Sequence, residues 1–375
     1  MSSTDQLEQK LERWIEASVI DGETAVRIRA FESSRESHGT RWPVVLAIVF
    51  GSIMVGAGIL LFVAAHWDDL SPAQRFLLAL TVIAGFHLAA GALMPRLKAL
   101  GIALHGIGTV ALGAGIFLAG QIFNLQEHWP GGVLLWAVGA VLGWALLRDW
   151  VQATLAAVLV PAWIAAEWSV RTQHITGSEK MLAQFVTLLA ITYFSARRGT
   201  SDSYFRCAIA WVGGIALLPL CVMLSADHYG WQDGLSMSVS LRVLGVLMAF
   251  GLPLLAAWLL RGRAFVWNLA FALWVFVMGL LGDRDTFQKL AIYGVCALGA
   301  IGLVIWGVQE QRRERINLGI AGFAITIIAF YFSTVMDKIG RSASLVGFGL
   351  LFLLGGWKLE QLRRRLVAGT RGGAS

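Results

Sequence analysis

Apolar residues in this chain come in long runs, not in alternation. After about forty mostly polar residues, twelve apolar stretches follow at about 42–65, 72–94, 100–123, 131–148, 151–168, 180–196, 204–224, 241–260, 263–281, 290–307, 316–335 and 342–357. A membrane-crossing helix needs about 20 apolar residues. The fourth, sixth and twelfth runs sit near the lower limit. The pauses between runs are short and polar, or are marked by Pro43, Pro72, Pro95 and Pro130, residues that suit helix starts and stops. Backbone groups in hydrocarbon must be paired within their own segment, so each run is expected to be a helix. The pattern predicts an all-α, polytopic transmembrane helix bundle of about twelve spans over 42–357, with a basic tail over 358–375.

Residues 1–41 differ in kind. Leu7, Leu11, Trp14 and Ile15 follow helical spacing, and Ser3 with Gln6 resembles a capping box. Asp21-Gly22 is a turn signal. Beyond it Ala25, Ile28 and Phe31 share one helical face. This stretch reads as a small cytosolic helical hairpin. Its eight acids outnumber its six bases, so it lacks the basic face of a DNA-binding helix-turn-helix, and no nucleic acid is expected. The hairpin is expected to cap the bundle or to contact a protein partner.

Composition sharpens the membrane reading. Of 375 residues, 57% are hydrophobic and 14% charged, where a soluble domain carries roughly 25% charged residues. Mean hydropathy is +0.69. A soluble enzyme, a disordered chain and a secreted disulfide scaffold are excluded. Cys207, Cys221 and Cys296 all lie in or beside apolar runs and read as buried thiols. The chain opens on polar residues and not on a basic region followed by an apolar run, so no secretory signal peptide is expected.

The net charge of +7 is explained by its distribution. With the runs alternating in direction, 22 of the 30 Lys and Arg fall on the amino-terminal side. They include Arg197, Arg198, Arg206, Arg261, Arg263, Arg312, Arg313 and Arg315. Eight fall on the other side: Arg75, Arg171, Lys180, Arg242, Arg284, Lys289, Lys338 and Arg341. The bias predicts that both termini face the cytoplasm of a bacterial inner membrane, with these cations acting as topology anchors. Ten of the sixteen Trp lie near expected helix ends, among them Trp42, Trp67, Trp129, Trp168, Trp267 and Trp357, as an aromatic belt at headgroup depth requires. Gly139 and Gly143 form a small-xxx-small pair suited to close helix packing in lipid.

Four stretches carry a family resemblance: "LERWIEASVIDGETAVRIRAFE" before the first run, "LLFVAAHWDDLSPAQR" at its end, "LAGQIFNLQEHWPGGVLLWAVGAVLGWALLRDW", and "RRERINLGIAGFAITIIAFYFSTVMDKIGRSASLVGFGLLFLLGGWKLEQLRRRL". Together they resemble the bacterial family of predicted membrane proteins called domain of unknown function 2157. The likeness is best over about 5–150 and 312–366. It departs at His66, where the family pattern has Asn before Trp67. The resemblance implies a membrane location and no particular chemistry.

Three polar stretches within these regions are expected on the side opposite the termini. They are His66, Trp67 and Asp68; Gln121 and Asn124, with Glu127 and His128; and Asp337 and Arg341, with Lys338. They either converge in a shared outer-face pocket or cap helix ends and tie loops together. Inside the spans, His87 and His105 each lie nine residues from Arg96, so antiparallel neighbours would bring both imidazoles to similar depth. Ionisable groups in a membrane are functional candidates. Two imidazoles fall short of the three or four ligands zinc takes, so no metal and no cofactor is expected. Pro161, Pro219 and Pro253 interrupt spans, as in transport sites built on broken helices or as simple kinks. Gly106–Ala111 fits a dinucleotide fingerprint but lies in an apolar span with no preceding soluble strand. "DKIGR" at 337–341 carries part of a transporter loop motif in a place where that motif does not belong.

Three functions remain open. A non-enzymatic membrane module in envelope assembly, sensing or partner binding is favoured by the small amino-terminal domain and a scarcity of buried charge. A small-solute or proton-coupled transporter is the alternative. A membrane enzyme acting on lipid-linked substrates, through His66, Asp68 or Asp337, has no catalytic spacing behind it. A cavity at the midplane favours transport, a lateral opening at outer headgroup depth favours the enzyme, and a filled bundle favours the first.

Overall fold

The computed structural model describes residues 11–36, 50, 54, 69–124, 128–175, 177–199, 202–226, 237–281, 286–335, 349–350, 353–358 and 360–361, and among these there is no strand. The chain divides into two compact units, Met1–Arg75 and Phe76–Ser375. The expected boundary at residues 41 and 42 lies outside the described residues.

In the first unit residues 11–16 are helical and α1 spans Gly22–Glu36. Ser18 sits at φ 54°, breaking the chain between them. The Thr24 N–H donates to Asp21 Oδ1 at 2.8 Å, so Asp21 caps α1. Hydrogen bonding with Thr24 holds the Asp21 carboxyl below its ordinary value. Leu11 and Ala25 are buried while Trp14, Ile15 and Phe31 are exposed, so only part of the expected apolar face turns inward.

The second unit is built from the apolar runs. Ten of them coincide, to within a few residues, with helices or pairs of helices. They are α2 (Pro72–Leu93), α3 (Lys98–Ile122), α4 (Pro130–Leu147), α5 (Trp150–Thr172), α6 (Ser178–Phe194) and α7 (Tyr204–Ala226). Then come α8 (Val239–Val246) with α9 (Leu252–Arg261), α10 (Val266–Leu280), α11 (Thr286–Gln309) and α12 (Arg313–Phe330). The runs at 42–65 and 342–357 fall largely outside the described residues. By length and composition, eight described stretches are apolar enough to cross a membrane. One of them, Val239–Leu280, has 42 residues, twice what a crossing needs. It is divided at Gly262, whose φ of +58° ends α9. Pro161 and Pro219 lie inside continuous helices. At Pro253 the register slips instead: a π turn over Leu247–Gly251 separates α8 from α9, and the Leu252 N–H donates to the Leu247 carbonyl.

The short sixth run is the centre of the unit. Of the 17 positions of α6, 11 are buried. Its polar side chains bond carbonyls of the helices around it, as polar groups between helices in lipid do. Lys180 Nζ donates to Leu281 O at 3.0 Å, Thr187 Oγ1 to Leu220 O at 3.4 Å, and Thr192 Oγ1 to Pro253 O at 3.3 Å. Ala183, Leu188 and Ile191 pack with Leu217, Phe271, Val275 and Trp306 into the main apolar core.

Contacts between helix ends sort into two sets. Arg197 with Glu314, Arg206 with the Ala196 and Leu260 carbonyls, and Arg261 with Glu310 lie at one end. His128 with Glu167, and Lys180 with Leu281, lie at the other. These are the two sets that alternating runs require.

Candidate functional site

His87 on α2 and His105 on α3 face each other, Nδ1 to Nδ1 at 3.0 Å, with ring centroids 5.3 Å apart. One Nδ1 must carry the proton and the other must accept it, so at most one of the two imidazoles is charged while the bond holds. Both are half-buried. Gly108 makes room for the pair: a Cβ there would lie 2.8 Å from His87 Nε2. The glycines of the dinucleotide-like string are thus packing notches.

A second polar chain begins at the His105 carbonyl, which accepts from Thr109 Oγ1 and from Gln152 Nε2, both at 3.1 Å. Gln152 is fully buried and also bonds Thr109, while its N–H donates to Asp149 Oδ1 at 2.8 Å, capping α5. Trp136 Nε1 donates to Thr109 O at 2.8 Å. Gly139 faces Leu112 on α3 and Gly143 faces Gln152 on α5, so the small-xxx-small pair serves two neighbours.

The arginine-rich end holds a feature that hydropathy does not reveal. Arg261 and Arg315 are 5% and 2% exposed. Glu310 pairs with both, one oxygen to each. Arg261 Nη1 donates to the Ser195 carbonyl at 2.7 Å, and Arg315 Nη2 reaches the same oxygen at 3.4 Å. Trp306, fully buried, donates from Nε1 to Glu310 at 2.6 Å. The Arg315 guanidinium lies 4.3 Å and the Arg261 guanidinium 5.2 Å from the Trp306 ring centroid, and Trp267 stacks on the same indole at 5.8 Å. Burial alone would raise the Glu310 carboxyl. The Arg315 charge, hydrogen bonds from Trp306 and Arg315, and the Arg261 charge outweigh it and hold the group below its ordinary value.

This corrects two expectations. Buried charge is not scarce, and Arg261 and Arg315 are not simple anchors in the headgroups: they turn inward because Glu310 and Trp306 meet them. Trp168 is likewise not a belt residue. It is 3% exposed and its indole N–H donates to Ser178 O at 2.9 Å, tying α5 to α6. Trp129 and Trp357 are exposed.

Two cavities lie between α7 and α12. One, of about 370 Å³, opens beside this end; it is lined by Arg197, Arg312, Glu314 and the buried Arg315, with Leu318 and the exposed Trp211 and Ile215. The other, of about 420 Å³, lies at the middle of α7, α11 and α12, lined by Leu218, Cys221, Trp274, Cys296 and Thr326, with Tyr293 and Ser333 at its far end. Tyr293 Oη and Ser333 Oγ are 2.7 Å apart. Leu318 lines both cavities, so they adjoin at that side chain, and the pair is termed the trough. The three cysteines are free and half-buried thiols, two of them on this trough.

Of the expected outer-face cluster, Gln121 and Asn124 are exposed at the end of α3, Asn124 with φ 47°. His128 pairs with Glu167 at 3.0 Å. His66, Trp67, Asp68, Asp337 and Arg341, with Glu127 and Lys338, lie outside the described residues. Among the described residues, no group of three or more His, Cys, Asp or Glu is placed to hold a metal ion. Sequence reasoning missed the arginine node, although Trp306 and Glu310, four residues apart just before the Arg312–Arg315 cluster, were its readable signal.

No curated protein and no solved structure matches the chain. Residues 12–153, which include α1 to α4 and the histidine pair, match the family model described as Predicted membrane protein (DUF2157), the family that the sequence resembles.

Proposed function

We propose that the chain is a non-enzymatic, multi-pass module of the bacterial inner membrane that holds an amphiphile drawn from the bilayer between α7 and α12. The observation that carries this reading is the trough itself: two adjoining cavities, apolar at mid-span and rimmed by arginines at one end. A site for a lipid-like molecule has this form, an apolar body with a few polar groups that fix orientation. Ten crossings at the described helices and two more at the apolar runs 42–65 and 342–357 would leave both termini on the arginine-rich side, and the 22 to 8 cation bias supports a cytoplasmic placement of that side. The amino-terminal helices then form a cytosolic hairpin, available to a protein partner.

The test is to fill the trough. A Cβ at Gly322 makes only ordinary contacts, at 3.5 Å from Leu218 and 3.8 Å from Ala300, so Gly322→Leu should occupy the space without forcing the helices apart. Wild-type protein purified in mild detergent should retain phospholipid by mass spectrometry, and Gly322→Leu should retain less at an unchanged melting temperature. Equal retention would overturn the reading. Transport is the second reading, favoured by the mid-span position of the larger cavity; its apolar lining supports a lipid-like cargo over a polar solute.

A further inference from the structure

The mouth of the trough carries more positive charge than its own carboxylates balance. Arg197, Arg312 and Arg315 line it with one carboxylate, Glu314, and Arg261, Glu310, Arg198 and Asp202 contact these residues or one another. Glu310 is taken by Arg261 and Arg315, and Glu314 by Arg197 at 3.0 Å. Asp202 accepts from the backbone N–H groups of Arg198 and Gly199, at 2.9 and 3.1 Å. Its oxygen also lies 4.0 Å from Arg197 Nε, within ion-pair range but too far for a hydrogen bond, and that buried Nε has no hydrogen-bond partner. Arg312 is half-buried on the cavity wall and makes no ion pair or side-chain hydrogen bond among the described residues. Its charge opposes those of both Arg261 and Arg315. A partly desolvated cation facing two like charges is costly unless an anion joins it.

An apolar wall adjoins these arginines. Trp211 and Ile215, both exposed on α7, and Leu318 on α12 line the same cavity as Arg312, and Leu318 also lines the mid-span cavity. From Glu314 to Ala329 the lining residues follow α12 for 15 residues, roughly 22 Å along the helix, most of the thickness of the hydrocarbon core. An anion bound at the mouth while its own apolar tail lies along that wall is an anionic glycerophospholipid.

We propose that the space between α6, α7 and α12 is a binding site for an anionic phospholipid of the arginine-side leaflet, its phosphate held by Arg312 and Arg197 and an acyl chain laid along Trp211, Ile215 and Leu318. This rests on the reading of the trough as an amphiphile site and adds the headgroup class. Arg312 is the position to test, because among the described residues its side chain makes no ion pair or hydrogen bond whose loss would unsettle the fold.

The experiment is native mass spectrometry of the full chain, exchanged into mixed micelles holding equal dioleoyl phosphatidylglycerol and dioleoyl phosphatidylcholine. Wild type should retain the anionic lipid in preference by roughly tenfold, the worth of one charge-assisted contact. Arg312→Gln should bring the two lipids near parity with total bound lipid unchanged. A wild type without preference, or an Arg312→Gln variant that keeps it, overturns the headgroup site while leaving the amphiphile reading intact. Retention of neither lipid overturns both. In a second arm, inorganic phosphate is added to lipid-free protein. If phosphate alone raises the melting temperature of wild type and not of Arg312→Gln, while no lipid preference is seen, the ligand is free phosphate and the lipid proposal falls. A photo-crosslinker at Ile215 should capture lipid; capture of residues 342–357 instead would show that the chain fills its own trough and would equally overturn it.

Discussion

At the scale of single residues, Glu310 carries the most consequence. It is the one carboxylate between two buried guanidiniums, and a buried pair that loses one partner leaves an uncompensated charge. Glu310→Gln should therefore destabilise the protein by about 3–5 kcal/mol, seen as a lowered melting temperature in detergent; a change within error would show that the arginines are hydrated. Arg315→Lys should also destabilise, because one ammonium cannot reach Glu310 and the Ser195 carbonyl in the guanidinium's planar geometry while lying on Trp306. The acid dependence follows from the sign of the Glu310 shift. A carboxyl whose folded value is depressed contributes stability that is complete above its unfolded value, about 4.3, and is lost as pH falls through the lower folded value. Wild type should lose stability on acidification below about pH 4, and Glu310→Gln should lack that component. Parallel pH profiles for the two proteins would remove Glu310 from the account.

At the scale of elements, α2 and α3 are joined by a polar contact inside apolar surroundings. His87→Leu strands the His105 Nδ1 and should cost about 1–3 kcal/mol. The double replacement by Leu should cost less than the sum of the single ones, because it leaves no stranded partner. Strict additivity in thermal or denaturant unfolding would mean that the imidazoles do not act as a pair. This contact was legible in the sequence, since two histidines equidistant from a turn must meet if the helices run antiparallel. The helices themselves were legible for the same kind of reason: apolar length and proline punctuation are local. What decides α6, α9 and α12 is not local. A cation at a helix end reads the same whether it points to headgroups or turns inward, and only the approach of Ser195 at the end of α6 and of Trp306 and Glu310 at the end of α11 turns Arg261 and Arg315 inward. The brevity of α6 misleads in the same way. It reads as a marginal span, yet it is the centre of the unit, because its threonines, Gln184 and Lys180 bond neighbouring carbonyls.

At the scale of the whole molecule, the contacts constrain topology without needing the bilayer. Arg206 bonds carbonyls at Ala196 and Leu260, and Arg315 reaches Ser195, so the ends of α6, α9 and α11 and the starts of α7 and α12 meet at one level. Lys180 bonds Leu281, which brings the start of α6 to the end of α10 at the opposite level. Consecutive helices therefore alternate through this half of the chain, and the loops at 195–203, 262–265 and 310–312 share a side. The 22 to 8 distribution of Lys and Arg supports the proposed cytoplasmic placement of the arginine-rich side. The cost of the opposite placement supports the same proposal: translocating the node would carry Arg197, Arg261, Arg312 and Arg315 across the hydrocarbon before Glu310 and Glu314 could neutralise them. Alkaline phosphatase, active only when exported, should be active when fused after Gly230, in the loop between α7 and α8, and inactive when fused after Ser375. The reverse pattern would invert the molecule and place the trough's arginines in the outer leaflet. Activity at both points would show an even number of crossings between them, and so remove one of the runs from the span set.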